Sequence, residues 1–148
     1  MKGVRNMTFN FSEQSEERLK NLVPDMVRVV RRALSFGVMD FTVLETLRDE
    51  DRQKMLVAAG DSETENSRHL PNADGLAEAV DLLPYPYTLN GIDVWKDKQR
   101  FCVMAGLVYA AAAIENVPIR WGGDWDSDGN NADSTFNDLP HFELRRGE

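Results

Sequence analysis

Leu19, Leu22, Val23, Met26, Val27 and Val30 recur at helical spacing, so residues 11–36 are predicted to be helical. Pro24 interrupts that stretch. Proline is tolerated in the first turn of a helix, so a new helix is predicted to begin there and to stop at Gly37. "DFTVLETL" (40–47) alternates like a strand, and "RDEDRQKMLVAAG" reads as a short helix ending at Gly60. Residues 61–75 are polar and turn-rich, a long loop. "AEAVDLLPY" follows as a short strand carrying Asp81. Residues 93–117 give the strongest helix, about six turns at 3.6 residues each, with Cys102 expected in its core packing. "PIRWGG" and "HFEL" read as strands around the acidic loop "DWDSDGNNADSTFND". Helices and strands mix without a regular β-α-β alternation. The expected class is α+β, a small and mainly antiparallel sheet packed with helices in one domain over residues 1–148.

The net charge of -8 repels phosphate backbones, so a nucleic-acid partner is not expected. A single cysteine excludes an internal disulfide. The first residues hold no apolar run suited to a secretory signal, and no stretch reaches the roughly 20 apolar residues of a membrane span. A monomer without membrane insertion, made and kept in a cytoplasm, is expected.

Only two histidines occur, His69 and His141, each where a loop meets a predicted strand. His69 has Asp81 twelve residues later, and Asp138 stands three residues before His141. Two imidazoles and a carboxylate suit a catalytic zinc site that keeps one position open for water, and a further carboxylate beside it suits a proton acceptor. The plainer reading is a pair of hydrogen-bonded structural histidines. The stronger zinc signature, HExxH, is absent, so spacing alone leaves both readings open.

The segments "SRH…G…AVDL" and "WGGDW…F.DLPHFEL" together resemble the zinc peptidases of the D-Ala-D-Ala carboxypeptidase and L-alanyl-D-glutamate endopeptidase family, most of all its phage endolysin branch. The likeness runs from "FSEQSEERL" through "DFTVLETLRDEDRQ" to "PHFEL". It implies a fold of the DD-peptidase and Hedgehog kind and a peptidoglycan stem peptide as substrate. It also implies zinc on His69, Asp81 and His141, with Asp138 as the general base. An L-alanyl-D-glutamate endolysin is expected, released to the wall by a separate permeabilising protein. A D-Ala-D-Ala carboxypeptidase is the alternative with the same chemistry, and a non-catalytic, calcium-dependent wall-binding module is the alternative of another class. The loop "LPNADGLAEAV" is longer than in many relatives and adds Asp74 and Glu78 as competing ligands.

The same resemblance makes Arg48 a donor to the developing oxyanion or a clamp on a substrate carboxylate; a surface arginine paired with acidic neighbours is the alternative. Gln53 also matches, with a helix-face role as the alternative. Ser67 either orients His69 or is a turn serine, and Trp125 is the tryptophan expected to meet substrate while Trp121 packs in the core. Asp124, Asp126, Asp128, Gly129 and Asn130 follow the first half of an EF-hand calcium loop, but Thr135 stands where the bidentate glutamate belongs. A weak Ca2+ site and a solvated acidic turn both remain open there.

Overall fold

The computed structural model describes residues 7–60, 67–124 and 138–145. Helix α1 (Glu13–Leu19) starts where the Ser12 side chain accepts a hydrogen bond from the Ser15 amide, satisfying one of the free donors of the first turn. The chain breaks after Lys20, and α2 (Pro24–Ser35) begins with proline at its first turn, as predicted. Gly37 follows with φ +68°, the left-handed conformation that ends helices. Strand β1 (Phe41–Glu45) leads to α3 (Glu50–Ala58), which Asp49 caps by accepting from the Arg52 amide. Strand β2 (Ala79–Pro84) carries Asp81.

A hairpin of β3 (Thr88–Leu89) and β4 (Ile92–Asp93) comes next, absent from the sequence reading. Its Asn90-Gly91 turn has φ +52° and +78°, the pairing that tight hairpins favour. The long helix is divided. A 3-10 turn (Val94–Lys96) precedes α4 (Lys98–Glu115), which is 18 residues rather than the expected six turns. Cys102 on α4 is exposed, a correction to its expected core placement, because the buried side of the helix is carried by Phe101, Met104, Ala105 and Val108. Strands β5 (Ile119–Trp121) and β6 (His141–Leu144) complete the chain.

The main sheet has the order β1-β2-β6-β5, and each neighbouring pair is antiparallel. Side chains alternate across a strand, so its two faces differ. Val43, Val80, Leu82 and Phe142 join one apolar cluster with Met26, Val30, Met104 and Val108 of α2 and α4. On the opposite face, the register sets Glu45 against Asp81, Asp81 against His141, and Arg120 against Glu143. A bulge between Val43 and Glu45 keeps the glutamate on that polar side. The outer edge of β1 is covered by α1. Val43 N–H donates to Ser15 Oγ at 3.1 Å, and Arg18 donates to the Val43 carbonyl at 2.8 Å.

Candidate metal centre

Asp81 and His141 meet because β2 and β6 pair them directly. His69 arrives from the segment before β2, anchored where the Arg48 amide donates to its carbonyl at 2.8 Å. His69 Nε2 lies 3.2 Å from Asp81 Oδ1 and 3.2 Å from His141 Nδ1, and His141 Nδ1 lies 3.3 Å from Asp81 Oδ1. All three residues are buried. A tetrahedral zinc with bonds of about 2.0 Å separates its ligand atoms by roughly 3.3 Å. The triangle therefore has the size of one face of such a site, and the donor set suits it.

The outer nitrogens fix which atoms point inward. His69 Nδ1 is 2.6 Å from the Thr46 carbonyl, which can only accept, so Nδ1 carries the hydrogen and Nε2 presents its lone pair. His141 Nε2 donates to Glu143 Oε1 at 2.8 Å, which leaves the Nδ1 lone pair available to a metal ion. Arg120 holds the other oxygen of Glu143 at 2.9 Å. Burial disfavours a charged Glu143, but His141 and Arg120 outweigh it and bring its pKa down to about 2. Burial likewise disfavours an imidazolium at His141, yet Asp81 and Glu143 push its pKa up to about 10 without metal. Burial opposes ionisation of Asp81 too, and the two histidines overcome it, holding the carboxyl well below the usual carboxylate range. A cation here replaces protons that the site otherwise gathers.

Asp138 stands apart from the triangle, with Oδ2 4.0 Å from His141 Nδ1. Its side chain keeps 35% exposure against 1% for His69. Burial first, and then the charge of Asp81, raises its pKa. A tight bend holds it in place. Asp138 N–H donates to the Gly122 carbonyl at 2.8 Å, Gly122 N–H to the His141 carbonyl at 2.8 Å, and His141 N–H to the Asp138 carbonyl at 3.0 Å. A Cβ on Gly122 would collide with the Asp138 carbonyl, so the close approach needs glycine. Trp121 is buried beneath this bend and donates Nε1–H to the Leu139 carbonyl at 2.7 Å, in keeping with its expected core role.

Arg48 is held by an acidic side chain. It is buried rather than on the surface, with Nε and Nη2 each 2.9 Å from the Glu45 carboxylate and Nη1 2.5 Å from Gln53 Oε1. Its Nη2 lies 3.8 Å from Asp81 Oδ2, so the guanidinium backs the ligand carboxylate. Gln53 is fully buried, and its contact with Arg48 gives it a place in this network. Ser67 Oγ accepts from the His69 backbone amide at 3.1 Å, shaping the chain at His69 rather than gripping the ring. Ser67 also lines an open cleft with Arg68, Pro71, Asn72 and Glu78.

Of the two rival carboxylates, Glu78 pairs with Arg68 at 3.4 Å and Asp74 is an exposed turn residue. Neither joins the triangle. Asp124 is buried, with its amide 3.0 Å from the Trp121 carbonyl. Trp125, Asp126, Asp128 and Asn130 lie outside the described residues, and so does the calcium reading that rests on them.

Glu143, Arg120 and the Thr46 carbonyl were missed in the sequence. A signal existed for the first: in "HFEL" the histidine and glutamate are two apart, which on a strand puts them on one face. A backbone carbonyl leaves no such mark.

The sequence model of the phage L-alanyl-D-glutamate peptidase family matches residues 7–145. The L-alanyl-D-glutamate peptidase of Escherichia phage T5 is 28% identical over 144 residues, covering 95% of this chain and 93% of that protein. The crystal structure of the Serratia marcescens L-Ala D-Glu endopeptidase ChiX superposes with a TM-score of 0.71 at 34% identity, covering 93% of this chain and 91% of ChiX. The match to the family model spans nearly the whole chain, and ChiX shares both the fold and a third of the residues. On that footing, the chain belongs to the phage L-alanyl-D-glutamate peptidase family.

Proposed function

We propose that the protein hydrolyses the L-alanyl-D-glutamate bond of peptidoglycan stem peptides, with zinc held by His69 Nε2, Asp81 Oδ1 and His141 Nδ1. The observation that carries this reading is the triangle of inward-facing ligand atoms, 3.2–3.3 Å on a side, with Asp138 beside it. Bound there, zinc supplies a Lewis acid that activates water and polarises the scissile carbonyl. Asp138 supplies the base. Its Oδ2 accepts a proton from the attacking water and returns it to the leaving amine of D-glutamate. A carboxyl whose pKa is raised by burial and by Asp81 serves both steps better than an ordinary aspartate. Glu143 and the Thr46 carbonyl hold the two imidazoles in the tautomers the metal needs. Arg48 steadies Asp81 and adds positive charge behind it.

The protein acts as a monomeric endolysin: it accumulates in the bacterial host and reaches the wall once a separate protein has permeabilised the membrane. No helix among the described residues is long and apolar enough to cross a membrane, which is compatible with that route.

The test joins metal analysis to wall digestion. The purified protein is expected to hold about one zinc per chain, and mass spectrometry of digested sacculi to show new L-alanine termini. Asp138→Asn is expected to keep the zinc and lose about 10²–10⁴-fold in kcat. Release of free D-alanine instead would make the protein a carboxypeptidase. Wall lysis by Asp138→Asn at the wild-type rate would sink the mechanism and favour a binding module.

A further inference from the structure

Five of the eleven exposed large hydrophobic side chains among the described residues fall within residues 85–95: Tyr85, Tyr87, Leu89, Ile92 and Trp95. Such clustering of apolar surface marks a contact site more often than scattered exposure does. Two of these residues are tied to the metal-bearing face of the sheet. Asp81, Leu83 and Tyr85 follow each other at every second position, and the Tyr85 amide continues the β1–β2 ladder by donating to the Asp40 carbonyl at 3.1 Å. Tyr85 follows Pro84, the last residue of β2, so at about 3.3 Å per residue it stands about 13 Å from Asp81 along the chain. The Tyr87 hydroxyl lies 3.3 Å from Thr42 Oγ1, and Thr42 pairs with Leu83 on the same side.

The two tyrosine rings meet edge to face at 5.3 Å, each about half exposed. Their backbone is braced. Arg100 donates to the Pro86 carbonyl at 2.7 Å, and the Val94 amide donates to the Tyr87 carbonyl at 2.8 Å. The rings are thus presented on a fixed turn, so little conformational entropy is lost when something binds them.

We infer that Tyr85 and Tyr87 form a stacking platform for the glycan strand of the wall. The inference rests on the proposed peptidoglycan substrate. L-alanine is the first residue of the stem, joined through a lactyl group to a pyranose. The sugar therefore begins about two residue lengths, roughly 7 Å, from the scissile carbonyl. A strand running away from the metal along this face reaches the tyrosines within its first one or two rings. Pyranose C–H faces pack on aromatic rings, and a phenol hydroxyl at the rim offers a hydrogen bond to sugar hydroxyls. Charge also selects this part of the wall. A protein with net charge -8 is repelled by the carboxylates and phosphates of the wall, whereas the sugar backbone between stems presents mostly neutral hydroxyl and amide groups.

The test uses two substrates with zinc-loaded protein: intact sacculi, and a synthetic stem peptide without sugar. For Tyr85→Ala/Tyr87→Ala, the sacculus concentration at half-maximal rate should rise about tenfold, while cleavage of the free peptide stays within about twofold of wild type. Tyr85→Trp, which keeps a ring at that position, should retain much of the sacculus affinity that Tyr85→Ala loses. Equal loss on both substrates, or no loss on sacculi, would overturn the platform. A wild-type dimer that dissociates in the double variant, with sacculus turnover unchanged, would overturn it in favour of self-association. Wild-type protein that cuts neither substrate would refute the peptidase reading itself, an outcome distinct from each of these.

Discussion

Glu143 lies two positions from His141, and its carboxylate accepts the hydrogen of Nε2, setting the tautomer and raising the basicity of that candidate ligand. Glu143→Gln keeps the shape and removes the charge. We expect it to weaken zinc binding by about 10–100-fold, measured by competition with a chromophoric chelator, while the fold is retained. His69, Asp81, Asp138 and His141 were legible in the sequence because each sits in a short motif with a chemical side chain, and the structure brings them together. The groups behind them were much harder to read. Thr46 acts through its backbone, and Arg48 has a role that depends on a bulged register no one-dimensional pattern states. The sequence leaves Arg48 open between a substrate contact and a surface charge; in the fold it is buried on the Glu45 carboxylate with Nη2 3.8 Å from Asp81 Oδ2.

Among the elements, α1 shows how a short helix protects a sheet. Its Ser15 is buried and fills the hydrogen-bonding need of the Val43 amide on the outer edge of β1. Ser15→Ala leaves that donor without its partner, and a loss of about 1–3 kcal/mol in unfolding free energy is expected in a urea titration. The two-helix reading of residues 11–36 succeeded because Pro24 and Gly37 act locally, through fixed φ and left-handed backbone. The β3–β4 hairpin was overlooked although Asn90-Gly91 announces its turn, because two-residue strands carry no alternation to find. Cys102 misled for the opposite reason. Helix α4 is apolar on nearly every side, so periodicity alone could not say which side is covered.

Across the whole molecule, the three candidate ligands come from residues 69, 81 and 141, so a cation bound there would tie together segments that lie far apart in the chain. A metal that prefers the folded chain stabilises it by mass action, about 2.7 kcal/mol at a hundredfold excess over Kd. For a domain of this size that corresponds to roughly 5–10 °C in Tmelt. Scanning calorimetry with and without a chelator is expected to show such a shift, and Asp81→Ala to be insensitive to added zinc. The two sides of the main sheet also answer to different demands. Phe142, Val80 and Leu82 pack in the apolar cluster with the helices; His141, Asp81 and Glu45 face away, on the side of the candidate metal centre. Selection can therefore revise which bond is cut by altering side chains on the outward side, and leave the inward side, with its solution to folding, undisturbed.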